Sequence, residues 1–282
     1  MNSFPDLDWF IDHWLNEDIN EGDYTTLCTV PENTTGSAIL LVKQNGVIAG
    51  ISVAERIMKR FDQTLKWEPR LKDGETVSEG DLVFTVYGRI HSILHCERLV
   101  LNVMQRMSGI ATTTREYVNL VEGTGATILD TRKTTPGFRF LEKEAVRLGG
   151  GGNHRFGLYD MILIKDNHID FAEGIRNAIQ STHKYLADNN LNLKIEIETR
   201  NLEDVTSVLE IGGVDRIMLD NFTPDLTRKA VELIDGRVET ESSGRITRKN
   251  IRAYAESGVD FISVGALTHQ IKSLDLSLKA EK

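Results

Sequence analysis

The feature that most restricts the fold of this chain is a repeated alternation of short apolar segments with helical patterns. Six apolar segments lie at residues 127–129, 161–164, 195–198, 216–219, 238–242 and 261–264. A stretch with the spacing of a helix accompanies each segment, which predicts parallel strands joined by helical crossovers. Because six units are fewer than the eight of a closed barrel, we expect an α/β fold with an open or incomplete parallel barrel.

The first hundred residues follow a different pattern. Strand-like segments occur at residues 38–42 and 82–87, with a helix predicted over about 53–61 between them. A further amphipathic helix is predicted over residues 91–106, and it could bridge two domains. We therefore expect an N-terminal α+β domain over residues 1–108 and the barrel over residues 109–282, whose last residues could return to the first domain.

Composition and charge exclude several classes of protein. A net charge of −9 without any run of Lys or Arg argues against a nucleic-acid partner or an anionic membrane surface. Only two cysteines occur, which excludes a disulfide framework and a cysteine-only zinc site. No segment has the length of a membrane span and no leader is visible, so a cytoplasmic location is predicted.

Polar or small residues follow each predicted barrel strand. The carboxyl ends of parallel strands meet at one rim, where barrel enzymes build their active sites. Function is therefore expected at that rim, which the sequence populates with Thr131, Arg132, Lys133, Lys165, Glu198, Asp220, Ser243, Gly244 and Gly265.

Carboxylates lie within and at the end of two strands. Strand alternation in residues 194–198 directs Glu196 and Glu198 toward the barrel interior. Buried carboxylates are costly unless they are paired or functional. Glu196 could be an ion-pair partner that fills the barrel, whereas Glu198 and Asp220 at the rim are candidate ligand groups.

Cations gather in one part of this acidic chain. They are Arg132, Lys133, Arg139, His154, Arg155 and Lys165. The cluster indicates a small polyanionic ligand, since arginine grips carboxylates and phosphates with two parallel hydrogen bonds. A solvated charged face is the alternative, although exposed helix charges would scatter at helical spacing.

Glycine-rich turns supply candidate phosphate sites. Ser242–Gly244 and Val264–Ala266 each stand at a strand end before a helical segment, where backbone N–H groups favour a phosphate. Either turn could instead be a helix cap. The run Gly149–Gly152 permits positive dihedrals and close approach of a ligand, but is a weak signal alone.

Three longer motifs carry a family resemblance. Residues 129–137 read LDTRKTTPG, residues 149–157 read GGGGNHRFG and residues 163–168 read LIKDNH. Together they resemble the signature of the decarboxylating quinolinate phosphoribosyltransferases, also called carboxylating nicotinate-nucleotide pyrophosphorylases. Shorter matches at residues 21–26, 97–102, 218–221 and 264–269 extend the similarity over nearly the whole chain.

The resemblance implies a fold and a reaction. It implies a sandwich-like N-terminal domain, an open α/β barrel, and a homodimer in which one subunit's small domain covers the other's barrel mouth; any higher assembly stays open. The implied substrates are quinolinate and phosphoribosyl pyrophosphate (PRPP). The implied products are nicotinate mononucleotide, pyrophosphate and carbon dioxide, with Mg²⁺ assisting as the cofactor.

The resemblance also assigns roles to residues. Arg132, His154, Arg155 and Lys165 would hold the quinolinate carboxylates, joined by Arg98 from the neighbouring subunit. Lys133 would meet the pyrophosphate, while Glu198 and Asp220 would contact ribose hydroxyls or metal-bound water, with no direct metal ligand assigned. The remaining substrate contacts would be Thr131 and the 5-phosphate loops Ser243–Arg245 and Val264–Ala266. Lys133, Lys165, Glu198 and Asp220 would be the catalytic residues.

One residue departs from the family pattern, and three other interpretations stay open. Arg245 stands where the family usually has a second glycine, so its Cβ restricts the backbone if the loop needs a positive φ. A related barrel lyase or isomerase could use Lys165 to form a Schiff base. A molybdenum-associated pyrophosphorylase-like protein shares some of the motifs, and residues 36–89 could be a lipoyl-like carrier module.

Overall fold

The computed structural model describes residues 6–281. Its helices are α1 (Leu7–Ile19), α2 (Tyr24–Thr29), α3 (Ile51–Phe61), α4 (Ile90–Leu120), α5 (Arg139–Leu148), α6 (Asp166–Phe171), α7 (Ile175–Asp188), α8 (Leu202–Ile211), α9 (Pro224–Ile234), α10 (Ile251–Ala255) and α11 (Ala266–His269). Its strands are β1 (Thr35–Val42), β2 (Gly46–Val47), β3 (Lys66–Pro69), β4 (Thr76–Val77), β5 (Leu82–Arg89), β6 (Thr127–Leu129), β7 (Ile162–Ile164), β8 (Ile195–Thr199), β9 (Arg216–Asp220), β10 (Glu239–Ser243), β11 (Phe261–Ser263) and β12 (Leu276–Ala280).

The described chain divides into two compact units. Unit 1 comprises residues up to 115, residues 135–150 and residues from 270, and unit 2 comprises residues 116–134 and 151–269. The boundary expected at residues 108–109 falls inside α4, which continues to Leu120. Gly109 is a packing residue there, because a Cβ would lie 2.3 Å from the carbonyl oxygen of Lys272.

Unit 1 is built on an antiparallel sheet in the order β12-β1-β5-β3, with β2 and β4 forming a separate pair. Alternate residues of β1, including Leu40 and Val42, are fully buried, and the residues between them are less so. This period of two is that of a strand with one face on a core. Because β12 pairs with β1 from Ala38 to Val42, the C-terminal strand belongs to unit 1.

Unit 2 contains the parallel sheet, in the order β6-β11-β10-β9-β8-β7. These six strands lie where the sequence predicts them, and their partners are all parallel. No hydrogen-bonded pairing joins β6 to β7 in the described residues, so the sheet is open, as expected for an incomplete barrel. All five residues of β8 are buried, so this strand is covered on both faces.

None of the helices in residues 6–281 combines the length and the apolar character that a membrane crossing requires.

Candidate active site

The carboxyl ends of the six parallel strands carry the predicted site residues of unit 2. Thr131, Arg132 and Lys133 follow β6, Lys165 follows β7, Glu198 lies near the end of β8, Asp220 ends β9, Ser243 ends β10 ahead of Gly244 and Arg245, and Val264 and Gly265 lie between β11 and Ala266. His154 and Arg155 lie in the segment between α5 and β7.

An acid-base cluster occupies the ends of β7, β8 and β9. The Nζ of Lys165 donates to Oε1 of Glu198 at 2.5 Å, and the backbone N–H of Asp166 lies 3.3 Å from the other carboxylate oxygen. Burial raises the pKa of Asp220, and the neighbouring charge of Glu198 raises it further. Two carboxylates that repel each other beside an ammonium group suit hydroxyl or hydrated-cation ligands.

Arg132 and Arg155 form a cation pair beside this cluster. Burial lowers the pKa of Arg155, and the positive charge of Arg132 lowers it further. The Nε of Arg132 is buried and has no hydrogen-bond partner within the described residues. Two guanidinium groups whose positive charges interact in this way would be stabilised by a ligand that carries two negative charges.

The loop that carries Arg155 is fixed to β6 by a buried carboxylate. Asp130 is fully buried, accepts from the backbone N–H of His154 at 2.9 Å, and accepts from Nδ2 of Asn153 at 2.7 Å. Sequence reasoning placed Asp130 only among the polar strand ends and did not identify this role. The sequence feature that could have indicated this role is a carboxylate directly after an apolar strand.

Packing explains much of the glycine run that precedes this loop. A Cβ on Gly149 would lie 2.5 Å from the carbonyl oxygen of Ala111, and a Cβ on Gly152 would lie 2.8 Å from Cδ2 of Leu129. Gly152 also donates to the carbonyl of Ile128 and forms a bridge to Leu129, along the edge of β6. Close approach to neighbouring protein atoms therefore accounts for glycine at these two positions.

The turn after β11 lies against Lys133. A Cβ on Gly265 would lie 3.1 Å from Cδ of Lys133, and Oγ1 of Thr268 donates to the carbonyl of Lys133 at 2.8 Å. The aliphatic part of the Lys133 side chain therefore lies beside a backbone turn, which is a suitable arrangement for binding a phosphorylated ligand. Helix α11 has only four residues, so its dipole contributes little.

The turn after β10 adopts a left-handed backbone at two successive residues. Gly244 has φ 92° and Arg245 has φ 53°, so the arginine that departs from the family pattern occupies a conformation that favours glycine. A Cβ on Gly244 would lie 2.4 Å from Oδ1 of Asn221. Helix α10 begins only at Ile251, so the turn itself, and not a helix end, presents the backbone amides.

A buried ionic network lies beneath the rim. Glu196 and Glu241 are fully buried; Oε2 of Glu196 lies 3.0 Å from Nε2 of His154. Burial raises the pKa of both carboxyls to about 7. Arg216 donates from Nη1 to Oε2 of Glu241 at 2.9 Å. The sequence indicated Glu196, whereas Glu241 and Arg216 were missed; the available signal for Glu241 was a carboxylate in the middle of a predicted strand.

Comparison with known proteins identifies the family. The model of the N-terminal domain of quinolinate phosphoribosyl transferase matches residues 23–108, and that of the C-terminal domain matches residues 110–279. The chain is 46% identical to the chloroplastic nicotinate-nucleotide pyrophosphorylase (carboxylating) of Arabidopsis thaliana, over 92% of this chain and 78% of the relative. The chain belongs to the quinolinate phosphoribosyltransferase family.

Other family members agree in sequence and in fold. The probable pyrophosphorylase of Bacillus subtilis is 41% identical, over 95% of this chain and 91% of that protein. The crystal structure of NadC from Streptococcus pyogenes superposes with a TM-score of 0.92 at 37% identity, over 98% of this chain and 97% of that one. The Francisella tularensis pyrophosphorylase gives 0.93 at 38% identity, over 99% and 98% of the two chains.

Two predicted cations of this quinolinate phosphoribosyltransferase family member lie outside unit 2. Arg98 is exposed on α4 of unit 1, and Arg139 begins α5 of the same unit. Family membership does not favour the alternatives of a Schiff-base lyase or a molybdenum-associated relative. Lys165 is also engaged in an ion pair with Glu198. Residues 36–89 lie within the match to the family's N-terminal domain, which argues against a carrier module.

Proposed function

We propose that this protein transfers the phosphoribosyl group of PRPP to quinolinate with loss of carbon dioxide, forming nicotinate mononucleotide for NAD synthesis. The main support for the proposal is that Arg132 and Arg155, whose charges interact, lie at the same rim of the barrel as the Lys165–Glu198 ion pair. Quinolinate carries two adjacent carboxylates, which match two guanidinium groups in charge and geometry. The names of the relatives point to the same substrate.

The proposed reaction has two steps. The ring nitrogen of quinolinate forms a bond to C1 of the ribose while the bond from C1 to the pyrophosphate oxygen breaks. The carboxyl group beside that nitrogen then leaves as carbon dioxide, and its bonding electrons remain on the ring carbon, which takes up a proton. The ribosylated ring is cationic and stabilises this carbanion, so we assign no protein acid to the second step.

The side chains contribute orientation and electrostatic stabilisation. Arg132, Arg155 and Lys165 would align the weak nitrogen nucleophile through the carboxylates, and Lys133 would offset charge on the departing pyrophosphate. Thr131, the turn Ser243–Arg245 and the turn Val264–Ala266 would hold the phosphoribosyl group.

Mg²⁺ would enter with PRPP as part of the substrate and neutralise the pyrophosphate charge. Glu198 and Asp220 fit a hydrated ion, because burial and the charge of Glu198 raise the pKa of Asp220 and a nearby cation would oppose that effect. We also propose a homodimer in which Arg98 serves the partner's site. A cytoplasmic location stays a prediction, and the Arabidopsis thaliana relative is named chloroplastic.

Turnover of defined substrates tests the proposal. Purified protein incubated with quinolinate, PRPP and Mg²⁺ should release nicotinate mononucleotide, pyrophosphate and carbon dioxide in equal amounts. Nicotinic acid lacks the carboxyl group beside the nitrogen and should be a poor substitute. Absence of product from a folded, dimeric preparation would contradict the proposed function.

A further inference from the structure

Both nitrogens of the His154 imidazole ring lie close to other protein groups. The backbone N–H of Arg155 donates to Nδ1 at 2.7 Å, and Nε2 lies 3.0 Å from Oε2 of Glu196 and 3.6 Å from Oε2 of Glu241. Because Nδ1 accepts a hydrogen bond, the proton of the ring belongs on Nε2. The ring therefore accepts from the Arg155 backbone through Nδ1, while Nε2 lies in close polar contact with the buried carboxylates.

Buried charged side chains surround the Nε2 side of the ring. Arg216 donates to Glu241 at 2.9 Å and to Glu239 at 3.1 Å, and its guanidinium lies 3.9 Å from the ring centroid of Phe261. The His154, Glu196 and Glu241 atoms that could bind a cation lie within 4.8 Å of one another. A metal ion on Nε2 would require the proton on Nδ1, where the Arg155 N–H already points, so a cluster of buried charged groups fits better than a metal site.

The backbone around Arg155 is held residue by residue. Four successive N–H groups donate to side chains: His154 to Asp130, Arg155 to His154, and Phe156 and Gly157 to the two oxygens of Asp160. The guanidinium of Arg155 donates to the carbonyl of Met161 at 3.1 Å. Each bond removes freedom from the segment that presents this guanidinium, and a binding group held in this way loses less entropy when its ligand arrives.

We propose that His154 is a positioning residue for Arg155, acting through Nδ1 on the Arg155 backbone while its ring packs against the buried carboxylates of Glu196 and Glu241. This assignment rests on the proposed function and adds a positioning role to the family-based expectation that His154 meets a carboxylate. The role of the network is to fix the backbone from which Arg155 reaches the ligand. Loss of the network should weaken quinolinate binding and spare PRPP binding.

Two substitutions of His154 separate positioning from direct contact. In His154→Asn the amide oxygen can replace Nδ1 as acceptor for the Arg155 N–H, whereas in His154→Gln the amide group lies near the position of Nε2. We expect the Asn variant to lose at most about threefold in affinity for quinolinate relative to wild type. We expect the Gln variant to lose about tenfold or more, since a buried N–H loses its partner.

Calorimetric titration of quinolinate and of PRPP, each alone, measures both variants. The exposed His183, changed to Gln, is the matched control. An equal loss in the two variants, or a smaller loss in His154→Gln, would overturn the proposal. Binding is measured without turnover, so an inactive wild-type enzyme that still binds quinolinate would contradict the proposed reaction and leave this test intact.

Glu196 and the ring tautomer provide checks that do not require the His154 variants to fold. Glu196→Leu should raise the KM for quinolinate about tenfold with little change in the KM for PRPP, and Glu196→Gln, which keeps an acceptor, should restore most of the loss. An equal rise in both KM values would overturn the proposal. Nitrogen-15 spectra of histidine-labelled wild-type protein should show an unprotonated Nδ1 on His154, and a protonated Nδ1 would contradict it.

Discussion

Glu198→Gln should separate the quinolinate half of the site from the phosphoribosyl half. In the structure Nζ of Lys165 is bound to Glu198 at 2.5 Å, with the two side chains 44% and 10% exposed. A quinolinate carboxylate assigned to Lys165 must compete with that carboxylate. Replacement by the neutral amide removes the competitor and retains the size of the side chain, so quinolinate binding should improve.

The size of the improvement follows from the exposure of the pair. A partly exposed ion pair contributes about 0.2–1 kcal/mol, so quinolinate alone should bind roughly 1.5- to 5-fold more tightly to Glu198→Gln. PRPP should bind about tenfold more weakly or worse, because a charged acceptor for its hydroxyl groups or hydrated cation is lost. Lys165→Ala should instead weaken quinolinate binding.

Isothermal titration of each ligand alone is the appropriate assay. Glu232→Gln makes the same chemical change at an exposed position on α9 and should alter neither affinity. Thermal unfolding of each variant controls for stability. A tenfold loss of quinolinate affinity in folded Glu198→Gln would show that Glu198 supports the quinolinate half, and the proposed division of the rim would be wrong.

Three further predictions concern other residues. Arg155→Ala should weaken quinolinate binding by about 2–5 kcal/mol and PRPP binding by less, and Arg155→Lys should rescue only in part; an equal loss for both ligands in titration would contradict the assignment. Mixed Arg98→Ala and Lys133→Ala subunits should recover roughly a quarter of wild-type activity after subunit exchange, because about half of the dimers would be mixed and each mixed dimer would have one intact site. No recovery despite proven exchange would argue against a contribution of Arg98 to the partner's site. Cys28 is exposed, whereas burial raises the pKa of Cys96 to about 12. At pH 8 iodoacetamide should therefore modify only Cys28 of the native protein, as measured by mass spectrometry. Rapid modification of both cysteines would contradict the burial of the Cys96 thiol.

The sequence was most informative where apolar residues with the spacing of a strand are followed directly by polar or charged residues. Apolar segments with polar ends predicted the six parallel strands and their functional rim, because side-chain period and strand polarity are local properties. It was less informative about the local structure at Gly109: the matches to the two family domains meet there, as the sequence predicts, but the residue lies inside helix α4. Glycine marks both chain breaks and close packing, and only the neighbouring backbone of Lys272 distinguishes the two.

The sequence by itself determined which types of groups are available at the strand ends, namely arginines, lysines and carboxylates. Only the tertiary structure decided which of these groups meet. The sequence assigns His154 to the ligand through the cation cluster and the family motif, and the folded chain adds that Nδ1 accepts from the Arg155 backbone and Nε2 lies 3.0 Å from Glu196. Glu241 and Arg216 lie on other strands, far from His154 in sequence. Their contacts depend on how β8, β9 and β10 align side by side, and strand order is a long-range property that no local pattern encodes.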